Sequence, residues 1–106
     1  MLGVFRGTQD ISAGAFATVG TTAEALVKET AEVGGSLGTA AKSAVEGAIE
    51  GAKELRLDAA GAASAAAAGA IRAAGNVSKA ATEEVTKAAT GVISGVRVVV
   101  TAPFNG

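Results

Sequence analysis

The sequence of 106 residues contains no cysteine, histidine, tryptophan or tyrosine. Without cysteine there is no disulfide and no thiol nucleophile, and without histidine the commonest acid–base catalyst and zinc ligand is missing. Proline occurs once, at Pro103, and three phenylalanines make up the aromatic content. Large side chains are scarce, so packing must rely on close approach of backbones. We expect a non-catalytic protein with no cofactor and no metal site.

Charge is balanced, with nine basic and ten acidic residues. The sequence has no cationic block and few aromatics to stack on bases, so we expect no nucleic-acid partner. The first ten residues, MLGVFRGTQD, lack the apolar run of a signal peptide. No apolar stretch reaches the roughly 20 residues of a membrane-spanning helix. We therefore expect a cytoplasmic protein that could contact a membrane or granule only peripherally.

An uncharged row repeats along the chain with a period of eleven residues. Alanine, the best helix former, accounts for 27 residues. Steps of four, four and three from Ile11 reach Val99 through 25 positions, none charged and none glycine. Eleven residues make three helical turns, so the row forms a nearly straight apolar stripe. The stripe residues that we expect to pack helices together are Val19, Leu26, Val33, Leu37, Ala41, Ala44, Ala48, Ala52, Leu55, Val77, Ala81, Val85, Ala88, Val92, Val96 and Val99.

Glycine follows the same period. Three GxxxG pairs are spaced by 44 residues, which is four repeats of eleven. Small residues at this spacing let two helices approach closely, so we interpret the pairs as contact rows. They are Gly3 and Gly7, Gly47 and Gly51, and Gly91 and Gly95. The spacing also predicts an internal duplication of segments 3–46 and 47–90, followed by a short tail, 100–106.

Other glycines mark expected interruptions. Gly34-Gly35 and Gly75-Asn76 have the pattern of helix ends, and Gly20 precedes a capping-box sequence, Thr21 to Glu24. The charges Arg56 and Asp58 disturb the pattern once more. We predict an all-α fold of long amphipathic helices with eleven-residue periodicity. The chain, 1–106, would form one elongated domain, as a helical hairpin or as two to three helices packed in an oligomer.

The acidic residues Glu46, Glu50 and Glu54 follow at i, i+4 spacing. That spacing could gather carboxylates for a metal ion, but lysines are interleaved and no histidine completes a ligand set. We interpret the three as a solvated helix face.

Two long segments resemble known eleven-residue-repeat proteins. LVKETAEVGGSLGTAAKSAVEGAIEGAKEL (26–55) and VSKAATEEVTKAATGVISGV (77–96) are similar in composition to group 3 late-embryogenesis-abundant proteins and to synuclein-like lipid-binding repeats. The alanine-rich helical style also resembles bacterial granule-coating phasins. The first two resemblances imply chains that become helical on drying or on anionic lipid.

The stripe leads to two functional hypotheses. A single copy would leave much of it in water, and exposed apolar stripes usually indicate partners. The first hypothesis is a non-catalytic, self-associating scaffold that forms an oligomer, a filament or a subunit of a larger assembly. The alternative is a peripheral lipid-surface or granule coat, or a stress protectant, which lays the same stripe on lipid.

Overall fold

A computed structural model describes the backbone of residues 2–100 and the side chains of residues 16–100. Within this range the fold is mainly helical, as the composition predicts. Four helices precede a β-hairpin: α1 (Leu2–Glu32), α2 (Leu37–Leu55), α3 (Ala59–Gly75), α4 (Lys79–Ala89), β1 (Gly91–Ile93) and β2 (Val96–Val98).

The turn between α1 and α2 lies where the glycine pair predicts it. Gly34 adopts φ +76°, a conformation that suits glycine because it has no Cβ. The Ser36 side chain then accepts a hydrogen bond at 3.2 Å from the backbone N–H of Thr39 and caps α2. The predicted helix end at Gly34-Gly35 is confirmed.

Of the other two interhelical turns, the one after Gly75 falls at a predicted interruption, whereas the one at Arg56 lies where the sequence shows only a disturbance of the charge pattern. Arg56 ends α2 in the left-handed conformation, and the N–H of Leu57 donates at 2.8 Å to the carbonyl of Ala52. At the next turn α3 ends at Gly75, and the Ser78 side chain caps α4 by accepting from the N–H of Ala81 at 3.0 Å.

The fold differs from the expected hairpin or set of two to three helices. Four helices form because the chain turns after Glu32, after Leu55 and after Gly75. The fold is mainly helical, and its one small sheet in the described range lies near the C-terminal end, where Thr90 is extended and β1 pairs antiparallel with β2. The physical reason is local: β-branched residues dominate positions 92–100, and Ser94 and Gly95 both have positive φ, as a two-residue hairpin turn of type I′ requires.

Helix α3 is the centre of the fold and packs against the other three helices and β2. It is apolar on nearly all sides, which is the property of a buried helix. Seven of its alanines are buried: Ala62, Ala63, Ala66, Ala67, Ala70, Ala73 and Ala74. The large side chains of the core come from the surrounding elements, with Val27, Val45, Ile49, Val85 and Val98 fully buried.

Helices α1 and α3 cross at a pair of glycines. A Cβ built on Gly69 would lie 2.8 Å from the carbonyl carbon of Gly20, and closer still to its oxygen. No side chain fits there, so the two backbones are in direct contact. The capping-box interpretation of Gly20 is therefore wrong: α1 continues through this residue, and the glycine serves the helix crossing instead of a helix end.

The helices give the chain an elongated shape, with extents of 49, 29 and 26 Å. The 31 residues of α1 span about 46 Å at 1.5 Å per residue, so this helix accounts for the long dimension. The predicted duplication of 3–46 and 47–90 stays a prediction. Of the predicted tail, 100–106, the part after Val100 lies outside the described residues.

Candidate functional site

The structure divides the predicted stripe into three groups by exposure. Leu37, Ala41, Ala52, Ala81 and Val85 are buried in the core. Val19, Ala44, Ala48, Ala88 and Val96 are half-buried. The third group is exposed: Leu26, Val33, Leu55, Val77, Val92 and Val99. These six are all of the large, exposed hydrophobic residues among the described side chains.

The core of the single chain is centred beside the stripe. Val27, Val45 and Ile49 have no exposed surface, whereas the neighbouring stripe residue Leu26 is 38% exposed and Val33 is 82% exposed. The sequence signal for this shift was the apolar flank that these larger β-branched residues form next to the stripe. The many alanines in the stripe obscured this shift, because alanine occurs on both the buried and the exposed face of a helix.

The predicted close-approach glycines do not form a helix contact among the described residues. A Cβ on Gly47 or Gly51 would meet no atom within 4 Å, so both border open space. Gly91 and Gly95 have φ of +95° and +83° and belong to the β-hairpin. Gly3 and Gly7 lie in α1, but their surroundings fall outside the described side chains.

Gly47 and Gly51 line an open groove between α1 and α2. Two adjoining depressions of about 140 and 260 Å³ share Val19, Gly47 and Ala48. Together they form what we call the α1–α2 groove. None of its lining residues is charged: Phe16, Thr18, Val19, Thr22, Ala23, Ala44, Gly47, Ala48, Gly51, Ala52, Leu55, Leu57 and Ala62.

Charged side chains lie elsewhere and none of those described is buried. Glu50 and Glu54 are exposed and Glu46 is half-buried on the outer side of α2. In the described part of the chain, acidic side chains form no group of three that could hold a metal ion. A third depression, of about 280 Å³ between α1 and α3, has residues of both signs, and the Arg72–Glu24 ion pair of 3.5 Å lies beside it.

Within the described range no helix has the length and hydropathy to cross a membrane. No family model, curated protein or solved structure matches this chain. The α1–α2 groove, uncharged and continuous with exposed stripe residues, is the surface with the clearest capacity for an interaction.

Proposed function

We propose that this chain is a non-catalytic helical scaffold protein that associates with copies of itself through the apolar stripe. One observation carries the proposal: every large hydrophobic side chain described as exposed belongs to the stripe. The core of the single chain is filled by alanines and by larger residues beside the stripe, such as Val27, Val45 and Ile49. The exposed stripe residues are therefore available to a second molecule.

The position of these residues supports an interface on the α1–α2 side. Leu26 and Val33 continue the row of α1 that borders the groove through Val19 and Thr22, since all four are stripe positions. Leu55, 70% exposed, lines the other end of the groove from α2. Uncharged residues thus cover one side of the α1–α2 hairpin, and the core of a protein interface is likewise depleted of charged residues.

The experiment that tests the proposal is the molar mass by light scattering together with far-ultraviolet circular dichroism, over a hundredfold range of concentration. We expect high helicity and a multiple of 10.1 kDa. Leu26→Glu with Leu55→Glu should lower the mass and leave the helicity unchanged, because both side chains are exposed. Ala80→Glu, an exposed position on α4, is the matched control and should change neither quantity.

A monomeric mass for the unaltered chain would overturn the proposal. Low helicity in buffer followed by a large gain on anionic vesicles would favour the lipid-coat alternative instead. A buried core that closes within a single copy supports the scaffold hypothesis over that alternative, since a coat that folds only on lipid would not need such a core.

A further inference from the structure

The segment that follows α4 carries two structural patterns at once. As a hairpin, it places Ile93 of β1 and Val98 of β2 against the core, and both side chains are buried. The helical row of α4 nevertheless continues through the same residues without a change of phase. Steps of four and three lead along it from Ala81 through Val85, Ala88, Val92 and Val96 to Val99.

The hairpin also occupies the place into which a longer α4 would run. Both α4 and the hairpin pack against α2 and α3. Lys53 Nζ, near the end of α2, donates at 3.5 Å to the carbonyl of Ser94, and Ser64 Oγ of α3 donates at 3.0 Å to the carbonyl of Val99. Helix α4 has 11 residues and α2 has 19. Continuing α4 through residues 90–99 would add about 15 Å and bring it close to the length of α2.

The two conformations would bury opposite faces of this segment. Val85 has no exposed surface and marks the core side of α4. At about 100° per residue, a continued helix would place Val92 within about 20° of Val85 and Val98 about 140° away, on the outer side. The hairpin has the reverse order, since Val92 is 72% exposed and Val98 is 2% exposed.

The residues of the segment favour neither conformation uniformly. The hairpin needs positive φ at Gly91, Ser94 and Gly95, which is uncommon for serine, and it leaves Val92 and Val99 exposed. A helix would remove the positive φ angles and bury both valines. Glycine and β-branched residues are, however, poor helix formers. These opposing preferences bring the two conformations close in free energy.

We propose that residues 90–99 form a two-state element, a hairpin in the major state and a continuation of α4 in a minor state that holds about 0.1–10% of the molecules. The exchange withdraws Val92 and Val99 from the surface and exposes Val98. It would thereby control how much of the stripe a second copy can reach. That consequence rests on the proposed function, whereas the exchange itself does not.

The first test observes the unaltered chain by chemical exchange saturation transfer in nuclear magnetic resonance, which detects minor states in slow exchange. With ¹³C-labelled protein, we expect a second set of signals with helical Cα shifts at Val92 and Val96. Their absence would overturn the proposal.

The second test uses the reversed burial of two valines. Val98→Glu places a charge in the core of the hairpin but on the outer side of the helix, so the helical state should become the major one. This is a rise of about tenfold or more in the ratio of helix to hairpin. Val92→Glu is the matched control, because this position is exposed in the hairpin and faces the core in the helix. It should keep the hairpin and remove the minor signals.

A further variant changes the balance without adding a charge. Gly91→Ala with Gly95→Ala disfavours two positive φ angles of the hairpin and raises helix propensity. It should increase the population of the same helical signals, even if Val98→Glu unfolds the chain.

The outcomes are distinct. Random-coil Cα shifts throughout 91–99 in the glycine variant would show that the segment forms only a hairpin, and would overturn the proposal. Minor helical signals that persist in Val92→Glu would overturn the row that we assign to the helix. A monomeric mass for the unaltered chain overturns the proposed self-association and leaves the exchange standing, because none of these signals depends on the mass.

Discussion

Gly69 of α3 lies against the main chain of Gly20 of α1, so close that a Cβ on Gly69 would stand 2.8 Å from the carbonyl carbon of Gly20. Distances under 3 Å are not tolerated between these atoms, so any side chain at Gly69 must push the helices apart. The carbonyl belongs to backbone and cannot rotate away. The contact sets the distance between α1 and α3, which pack against each other more extensively than any other pair of helices described here.

Gly69→Ala should therefore destabilise the protein by about 1–3 kcal/mol, the usual cost of overpacking a core. This loss would appear even though alanine favours helix over glycine by about 1 kcal/mol. Chemical denaturation followed by circular dichroism measures the change. Gly75→Ala in the same helix, where the added Cβ meets its nearest atom at 3.9 Å, should lower stability little or raise it. Equal effects of the two substitutions would contradict the crossing.

Two large aliphatic residues of α2 test which row of the helix is the core. Ile49 is fully buried, so Ile49→Ala should cost about 2–5 kcal/mol of unfolding free energy. Leu55→Ala on the same helix, at 70% exposure, should cost far less in the monomer. Thermal unfolding of both variants, compared at a concentration where the mass is monomeric, measures the difference. The reverse order would mean that the stripe forms the monomer core.

The start of α2 is held by a carboxylate from another helix. The backbone N–H of Gly38 donates at 3.1 Å to Oε2 of Glu84, and a negative charge suits a helix N-terminus. Glu84→Ala should cost about 1 kcal/mol, whereas Glu84→Gln keeps an acceptor oxygen and should cost less. Urea unfolding curves at low and high salt measure both variants. Glu83, the adjacent exposed residue, gives the control variant Glu83→Ala. If Glu83→Ala lowered the free energy of unfolding as much as Glu84→Ala, the role of Glu84 would be contradicted.

The β-hairpin depends on two positive φ angles, 52° at Ser94 and 83° at Gly95. Ser94→Asn should stabilise the turn by a few tenths of a kcal/mol, up to about 1, because asparagine tolerates this conformation better. Gly95→Ala should destabilise it by about 1 kcal/mol. Amide hydrogen exchange at Ile93 and Val96, the pair next to the two-residue turn whose N–H groups point toward the partner strand, measures the hairpin directly. Unchanged protection in Gly95→Ala would show that these angles do not limit its stability.

Part of the helical architecture could be predicted from helix-ending residues in the sequence. Gly34-Gly35 and Gly75-Asn76 each mark a turn as predicted, and at the first of them Gly34 supplies the positive φ that a helix interior does not favour. The turn at Arg56 was not predicted, because an arginine in the left-handed conformation has no distinct sequence signal. Gly20 was misleading because glycine serves equally for a helix end and for a close crossing. Only the position of Gly69, far away in sequence, distinguishes the two.

The candidate site could be predicted only in part. The stripe is a row of uncharged positions in the sequence, but the division between core and exposed residues depends on how the helices are rotated about their axes. In an alanine-rich chain this rotation is decided by a few larger residues, such as Val27, Val45 and Ile49, and by backbone contacts. The C-terminal hairpin has a different cause, since β-branched residues and a Ser94-Gly95 turn override the helical period there.

The alanines that fill α3 also determine how this core can respond to change. An alanine loses no rotamer entropy on burial, so the central helix is ordered at little side-chain cost. The same property leaves the centre with no torsion that could absorb an added methyl group. Neighbouring helices would have to translate as rigid bodies. A substitution at one crossing would therefore change the distance between the helices along their whole length.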